Sequence, residues 1–157
     1  MGNYMNEEFS SLVRQLPELL ERLSKSPLRP WDNLGSLPLK GVYVFHEGGK
    51  PIYVGRTDNM KRRLQQHGRP SSTHNSAPFA FNIAKSEAAG KGISTNMTRS
   101  ELENDPRFDA LFRRAKQRVS KMNVRVIDID DPIMQSLFEV YASIALETRE
   151  YNYFDTH

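Results

Sequence analysis

Gly41-Val-Tyr-Val-Phe-His46, Glu47-Gly-Gly-Lys50 and Pro51-Ile-Tyr-Val-Gly55 form one unbroken stretch, and the rest of the chain is read from it. The two outer runs are rich in β-branched and aromatic residues, and the paired glycines between them suit a tight turn. The stretch predicts a β-hairpin. Tyr43 and Tyr53, ten residues apart, fall at comparable heights on its two strands. Whether they share a face depends on the register, because a slip of one residue turns every side chain over.

Working outward, Thr57-Asp58-Asn59 offers a helix cap, and Met60 to His67 reads as a helix stopped by Gly68 and Pro70. Arg63 and His67, four apart, then lie on one helix face. Upstream, Phe9, Leu12, Val13, Leu16, Leu19, Leu20 and Leu23 repeat with a helical period over residues 5–25. Pro17 removes a backbone donor there, so a kink or two short helices is expected. Residues 26–38 read as a connecting loop plugged by Trp31. Downstream, Phe79 to Ala89 is a helix ending at Gly90, and Gly90 to Ser100 a mobile polar loop. Asp105-Pro106 opens another helix with the stripe Phe108, Leu111, Phe112, Ala115 and Val119. Asn123 to Ile129 is a third strand, and Asp131-Pro132 starts a long helix to about Glu150. The order predicts an α+β domain: a small three-stranded antiparallel sheet flanked by helices. Residues 1–38 form an N-terminal helical extension and loop. Residues 39–157 form the main domain, whose stretch at about 68–120 is basic and helical and, by the family resemblance given below, is an insertion.

Composition narrows the chemistry. The chain has 157 residues and no cysteine, which excludes a disulfide scaffold, a thiol nucleophile and a cysteine-ligated zinc or iron–sulfur site. No apolar run nears the roughly 18 residues that cross a bilayer. The N-terminus lacks the basic and apolar regions of a secretory signal, and Asn6 breaks the myristoylation pattern. A cytoplasmic setting is the expectation. The net charge of +3 hides an uneven distribution. Lys50 to Arg125 carries 16 basic and 6 acidic residues, whereas Asp128 to His157 carries 7 acidic residues and one basic. A basic middle of this kind suits a phosphate-rich partner. No HExxH, P-loop or dinucleotide fingerprint occurs, and four scattered histidines (46, 67, 74 and 157) make no zinc motif.

The order of these features resembles the GIY-YIG nuclease family. Gly41-Val-Tyr43 stands for the first motif and Tyr53-Val-Gly55 for the second, at the family's usual separation. Arg63 and His67 match the helix that follows. Glu139, within Phe138-Glu-Val-Tyr-Ala-Ser-Ile144, and Asn152, within Glu150-Tyr-Asn-Tyr153, match the later glutamate and asparagine. The resemblance runs from Gly41 to about Asn152 and is weak across 68–120. It implies the family's α+β fold and a divalent-metal-dependent endonuclease that hydrolyses DNA phosphodiester bonds by water attack on phosphorus. The implied catalytic residues are Tyr43, Tyr53, Arg63, His67, Glu139 and Asn152. Glu139 would be the metal ligand for Mg2+ or Mn2+.

Those residue types answer what the reaction needs. Hydrolysis calls for an activated water, a Lewis acid for developing charge and a cation near the phosphoryl oxygens. A lone carboxylate suits Mg2+, which keeps most of its waters. Arg63 offers a permanent, forked cation. Tyr43 would orient or deprotonate the water with His67 relaying the proton, although a phenol is a poor base unless cations lower its pKa. Tyr53 would position nucleophile or phosphate, and Asn152 would orient the site or serve structure. Arg56, Lys61, Arg62, Arg113, Arg114, Lys116, Arg118 and Lys121 are the candidate phosphate contacts. The expected partner is double-stranded DNA, with a homodimer or two successive nicks for cutting both strands. The alternatives are a non-catalytic nucleic-acid-binding module on this fold, or an RNA-directed nuclease.

Overall fold

The computed structural model describes residues 5–154; residues 1–4 and 155–157, His157 among them, lie outside the described residues. In chain order the elements are α1 (Glu7–Lys25), β1 (Arg29–Pro30), β2 (Gly41–Glu47), β3 (Lys50–Thr57), α2 (Met60–Gly68), α3 (Pro78–Gly90), α4 (Arg99–Asn104), α5 (Pro106–Ser120), β4 (Asn123–Asp128) and α6 (Pro132–Ala145). The expected hairpin is β2–β3. Gly48 and Gly49 take φ values of 59° and 80°, the left-handed backbone that a two-residue hairpin turn requires.

The fold is α+β, as expected, with an antiparallel sheet of four strands rather than three, ordered β1-β4-β2-β3. The extra strand is the two-residue β1, paired through Arg29 and Pro30 with Val124 and Asn123 inside what reads from sequence as a loop. Two residues are too few to show a period-2 pattern, and the pairing forms only because the edge of β4 is there to receive it. β3 forms the other edge.

Helices cover both faces. On one, Tyr43, Phe45, Val124 and Val126 pack with Met60 and Leu64 of α2, Phe79, Phe81 and Ile83 of α3, and Phe108 and Phe112 of α5. On the other, Val42, Val44, Val54, Ile127 and Ile129 meet Leu16 and Leu23 of α1 and Met134, Phe138 and Ala142 of α6. Val42 through Phe45 are therefore all buried, which explains why this strand reads as a continuous apolar run instead of an alternation. Much of the first core comes from residues 68–120.

Three local expectations are corrected. Of the kink or two short helices expected at Pro17, the two helices do not form: Pro17 lies within one helix, α1, on its exposed side, where water can satisfy the carbonyl its ring leaves unpaired. The polar loop expected to Ser100 ends earlier, because Thr98 and Glu101 form a reciprocal capping box that starts α4. The last helix stops at Ala145 instead of about Glu150. Glu147 takes φ 57°, its N–H donates to the Ile144 carbonyl at 3.2 Å, and the Thr148 N–H donates to the Ser143 carbonyl at 2.9 Å. This is a Schellman ending built without glycine, so no residue type announced it.

Candidate active site

The register settles the relation of the two tyrosines. Phe45 pairs with Tyr53 and Tyr43 with Gly55, so the tyrosines share a face but stand two residues apart along the strands, not side by side. Gly55 is what lets them coexist: a Cβ at that position would collide with the Tyr43 ring and hydroxyl. Tyr43 is 1% exposed, and its hydroxyl lies 2.6 Å from Nε2 of His67. His67 is wholly buried among Tyr43, Phe45, Tyr53 and Phe79. Tyr53 keeps part of its surface open and stacks on Phe79 with centroids 4.4 Å apart.

Burial dominates the electrostatics. It raises the Tyr43 hydroxyl pKa well above that of a free phenol, and the nearby Tyr53 adds to this; the Arg63 guanidinium opposes it and loses. Desolvation of the anionic form outweighs the one guanidinium. The Tyr53 pKa is pushed up to about 12 by burial and by the Glu139 charge, against Arg63 and Arg99. His67 is held well below the usual imidazole value, first by burial and then by Arg63. The pair is thus a phenol beside a neutral imidazole.

Arg63, on the half-buried side of α2, borders an open cleft of about 270 Å³ with Thr57, Asp58, Asn59, Arg62 and Gln66. Glu139 reaches the site from α6. Burial raises its pKa, against the opposing charge and backbone of Arg56. Asn152, by contrast, faces backbone: its Oδ1 accepts the Val54 N–H at 2.8 Å and its Nδ2 donates to the Val54 carbonyl at 2.7 Å. Its amide thereby holds β3. Thr148, which the sequence reading passed over, donates its hydroxyl to Asn152 Oδ1 at 2.8 Å.

The structure therefore brings together Tyr43, Tyr53, Arg63, His67 and Glu139, with Arg56 at the edge. The supposed phosphate contacts divide. Lys116 is withdrawn, because its buried ammonium donates to the carbonyls of Pro70 and Ser72 at 2.7 Å each and sits over Phe112. Arg118 is engaged by Glu47 through two bonds of 2.7 and 2.8 Å. Arg113 pairs with Asp109 at 2.5 Å while staying exposed. Lys61, Arg62, Arg114 and Lys121 are exposed. Arg99, which opens the basic stretch to Arg125 expected to neutralise backbone phosphates, is exposed at the start of α4 behind the Thr98–Glu101 capping box.

Among the described residues no three His, Asp or Glu side chains gather into a metal-binding cluster. Glu139 offers a single hard oxygen donor set in a desolvated wall. That donor set fits a Mg2+ or Mn2+ ion that keeps most of its waters. Among the same residues no helix is long and apolar enough to cross a membrane.

No family model and no solved structure matches the chain. Curated proteins do, over segments. The chain is 47% identical over 38 residues, 24% of its length, to UvrABC system protein C of Deinococcus radiodurans, of which the segment covers 6%. It is 38% identical over 93 residues to the Neisseria meningitidis protein of that name, covering 52% of the chain and 14% of the relative. With the Microcystis aeruginosa protein the match is 24% over 126 residues, or 74% of the chain and 18% of the relative. The chain thus spans less than a fifth of the length of these relatives, and its similarity to UvrABC system protein C is partial.

Proposed function

We propose that this protein is a divalent-metal-dependent endonuclease that hydrolyses phosphodiester bonds in DNA. The observation that carries the reading is the hydrogen bond between Tyr43 Oη and His67 Nε2, set beside Arg63 and Glu139. A pure binding surface has no use for a buried phenol–imidazole pair next to a desolvated carboxylate. The partial similarity to UvrABC system protein C agrees with the GIY-YIG resemblance.

In this reading Arg63 grips the scissile phosphate with its fork. The Tyr43 oxygen takes the proton of the attacking water as its own passes to His67, and the wall of Phe45 and Phe79 keeps bulk water away from the pair. Tyr53, the more open phenol, orients the nucleophile. Glu139 would hold Mg2+ or Mn2+, which when bound supplies Lewis-acid stabilisation of the developing charge. Exposed Lys61, Arg62 and Arg114 would neutralise backbone phosphates away from the scissile one.

The test is nicking of supercoiled plasmid with Mg2+ or Mn2+. The wild type nicks, and Glu139→Gln, Arg63→Ala and Tyr43→Phe each lose about 100-fold or more. A wild type that shifts DNA in a gel without cutting it would show a binding module instead. Preferential cutting of RNA over DNA duplexes would overturn the substrate.

A further inference from the structure

The loop between β1 and β2 is held in a fixed curve. Arg29 Nη1 donates to the carbonyl of Leu34 at 2.7 Å and to that of Ser36. Trp31 donates its backbone N–H to the Met122 carbonyl at 3.0 Å and its indole N–H to the Leu64 carbonyl at 2.6 Å. At the far end the Leu39 carbonyl accepts the Met60 N–H at 2.8 Å, which ties the loop to the first residue of α2.

Between this loop and α2 runs a groove. One cavity of about 480 Å³ lies between Trp31, Leu34 and Leu37 of the loop and Lys61 and Gln65 of the helix. A second, of about 350 Å³, shares Leu37 and Lys61 with the first and adds Leu39 and Asn59. Asn59 also lines the cleft bordered by Arg62 and Arg63. The three cavities follow one another around the start of α2, from the candidate active site to Trp31.

The walls define what fits. Trp31 is half-buried and lends the open part of its ring to the first cavity, and Leu39 is 70% exposed at the second. Lys61, common to both, is exposed, and among the described residues no carboxylate pairs with it. Asp32 and Asp58 line the two outer cavities, so the groove is no general sink for anions. Aromatic and apolar surface around a cation suits an unpaired nucleic-acid strand, whose bases lie against the apolar faces while its backbone meets the charge. A duplex keeps its base faces stacked inside and has nothing to set against Trp31 and the leucines. The loop is already pinned, so little ordering opposes binding.

We infer that the groove between residues 31–39 and α2 is a single-strand binding site, which receives an unpaired strand continuing from the phosphate held at Arg63. Bases lie against Trp31, Leu37 and Leu39, and Lys61 holds a backbone phosphate. The continuation from a scissile phosphate rests on the nuclease reading; binding in the groove does not.

Trp31 is the only tryptophan of the chain, so its fluorescence reports on the groove directly. A short oligothymidylate is titrated into wild type, Leu39→Asp and Lys61→Gln across a salt series, with EDTA present so that nothing is cut. The expected result is saturable quenching in the wild type and a loss of affinity of about tenfold or more in Leu39→Asp, which sets a carboxylate against the backbone. Lys61→Gln is expected to make the slope of log K against log[salt] shallower by about 0.7, the value of one phosphate on a single strand. Both side chains are exposed, and unchanged melting temperatures show that the fold is intact. Should Leu39→Asp lower the melting temperature, the slope in Lys61→Gln decides alone. No quenching in a wild type that nicks plasmid would overturn the groove and leave the nuclease reading standing. Quenching that neither variant alters would place the strand elsewhere, and equal quenching by the oligothymidylate paired with its complement would overturn the unpaired occupant. A wild type that never nicks, yet shows the quenching and both variant effects, would overturn the nuclease reading and leave the groove as a binding site.

Discussion

Asn152 takes the place of a neighbouring strand for Val54, bonding both its N–H and its carbonyl across 98 positions of sequence. β3 is an edge of the sheet, so its outward backbone groups have no ladder partner. Asn152 satisfies them at Val54. The strand that carries Tyr53 is thereby tied to the segment that follows α6. Asn152→Ala leaves two buried backbone groups unpaired and is expected to lower stability by about 2–4 kcal/mol. Urea denaturation checks the magnitude. Hydrogen exchange at the Val54 amide checks the location, since that amide loses its acceptor.

Lys116 tests which cations meet nucleic acid. Its ammonium is buried and bonded to two carbonyls, and burial lowers its pKa. Lys116→Met is expected to leave the salt dependence of DNA binding unchanged and to cost stability, by roughly 1–3 kcal/mol for the two carbonyls it strands. Arg114→Ala, on an exposed side chain, is expected to do the reverse. It should reduce the salt slope by about one while leaving the unfolding midpoint in place. Parallel titrations at several salt concentrations and one unfolding curve per variant decide both.

His67 fixes the acid side of the stability curve. Its folded pKa lies well below the 6.5 of a free imidazole, because burial and Arg63 disfavour the cation. Between those two values the unfolded chain binds more protons than the folded one, so stability falls as pH drops below about 6.5. The slope from this one group approaches about 1.4 kcal/mol per pH unit. His46, also held below its usual value by burial and Arg125, acts in the same direction. His67→Gln removes the larger contribution, so its urea midpoint is expected to vary less with pH than that of the wild type between pH 7.5 and 5. Identical pH profiles for the two proteins would contradict a buried neutral imidazole.

The parts legible in sequence were those governed by local chemistry. The β2–β3 hairpin followed from two apolar runs and a glycine pair, and α2, α5 and α6 from caps and prolines placed where helices begin. The capping box of α4 was equally local, but the polar composition around it masked a six-residue helix. The ending of α6 was not readable, because the left-handed residue is Glu147 and nothing in its type announces a positive φ.

The sequence by itself determined which reactive groups the chain possesses and, through short spacings, that Arg63 and His67 share a helix face. Only the tertiary structure decided how they act. It offset Tyr43 from Tyr53 by register, buried the Tyr43–His67 pair so that desolvation outweighs the nearby guanidinium, and turned Asn152 inward onto an edge strand. It also engaged Lys116 and Arg118. The physical reason is common to all of these. Charge, exposure and hydrogen-bond satisfaction depend on neighbours far away in sequence, whereas periodicity and capping report only on residues a few positions apart.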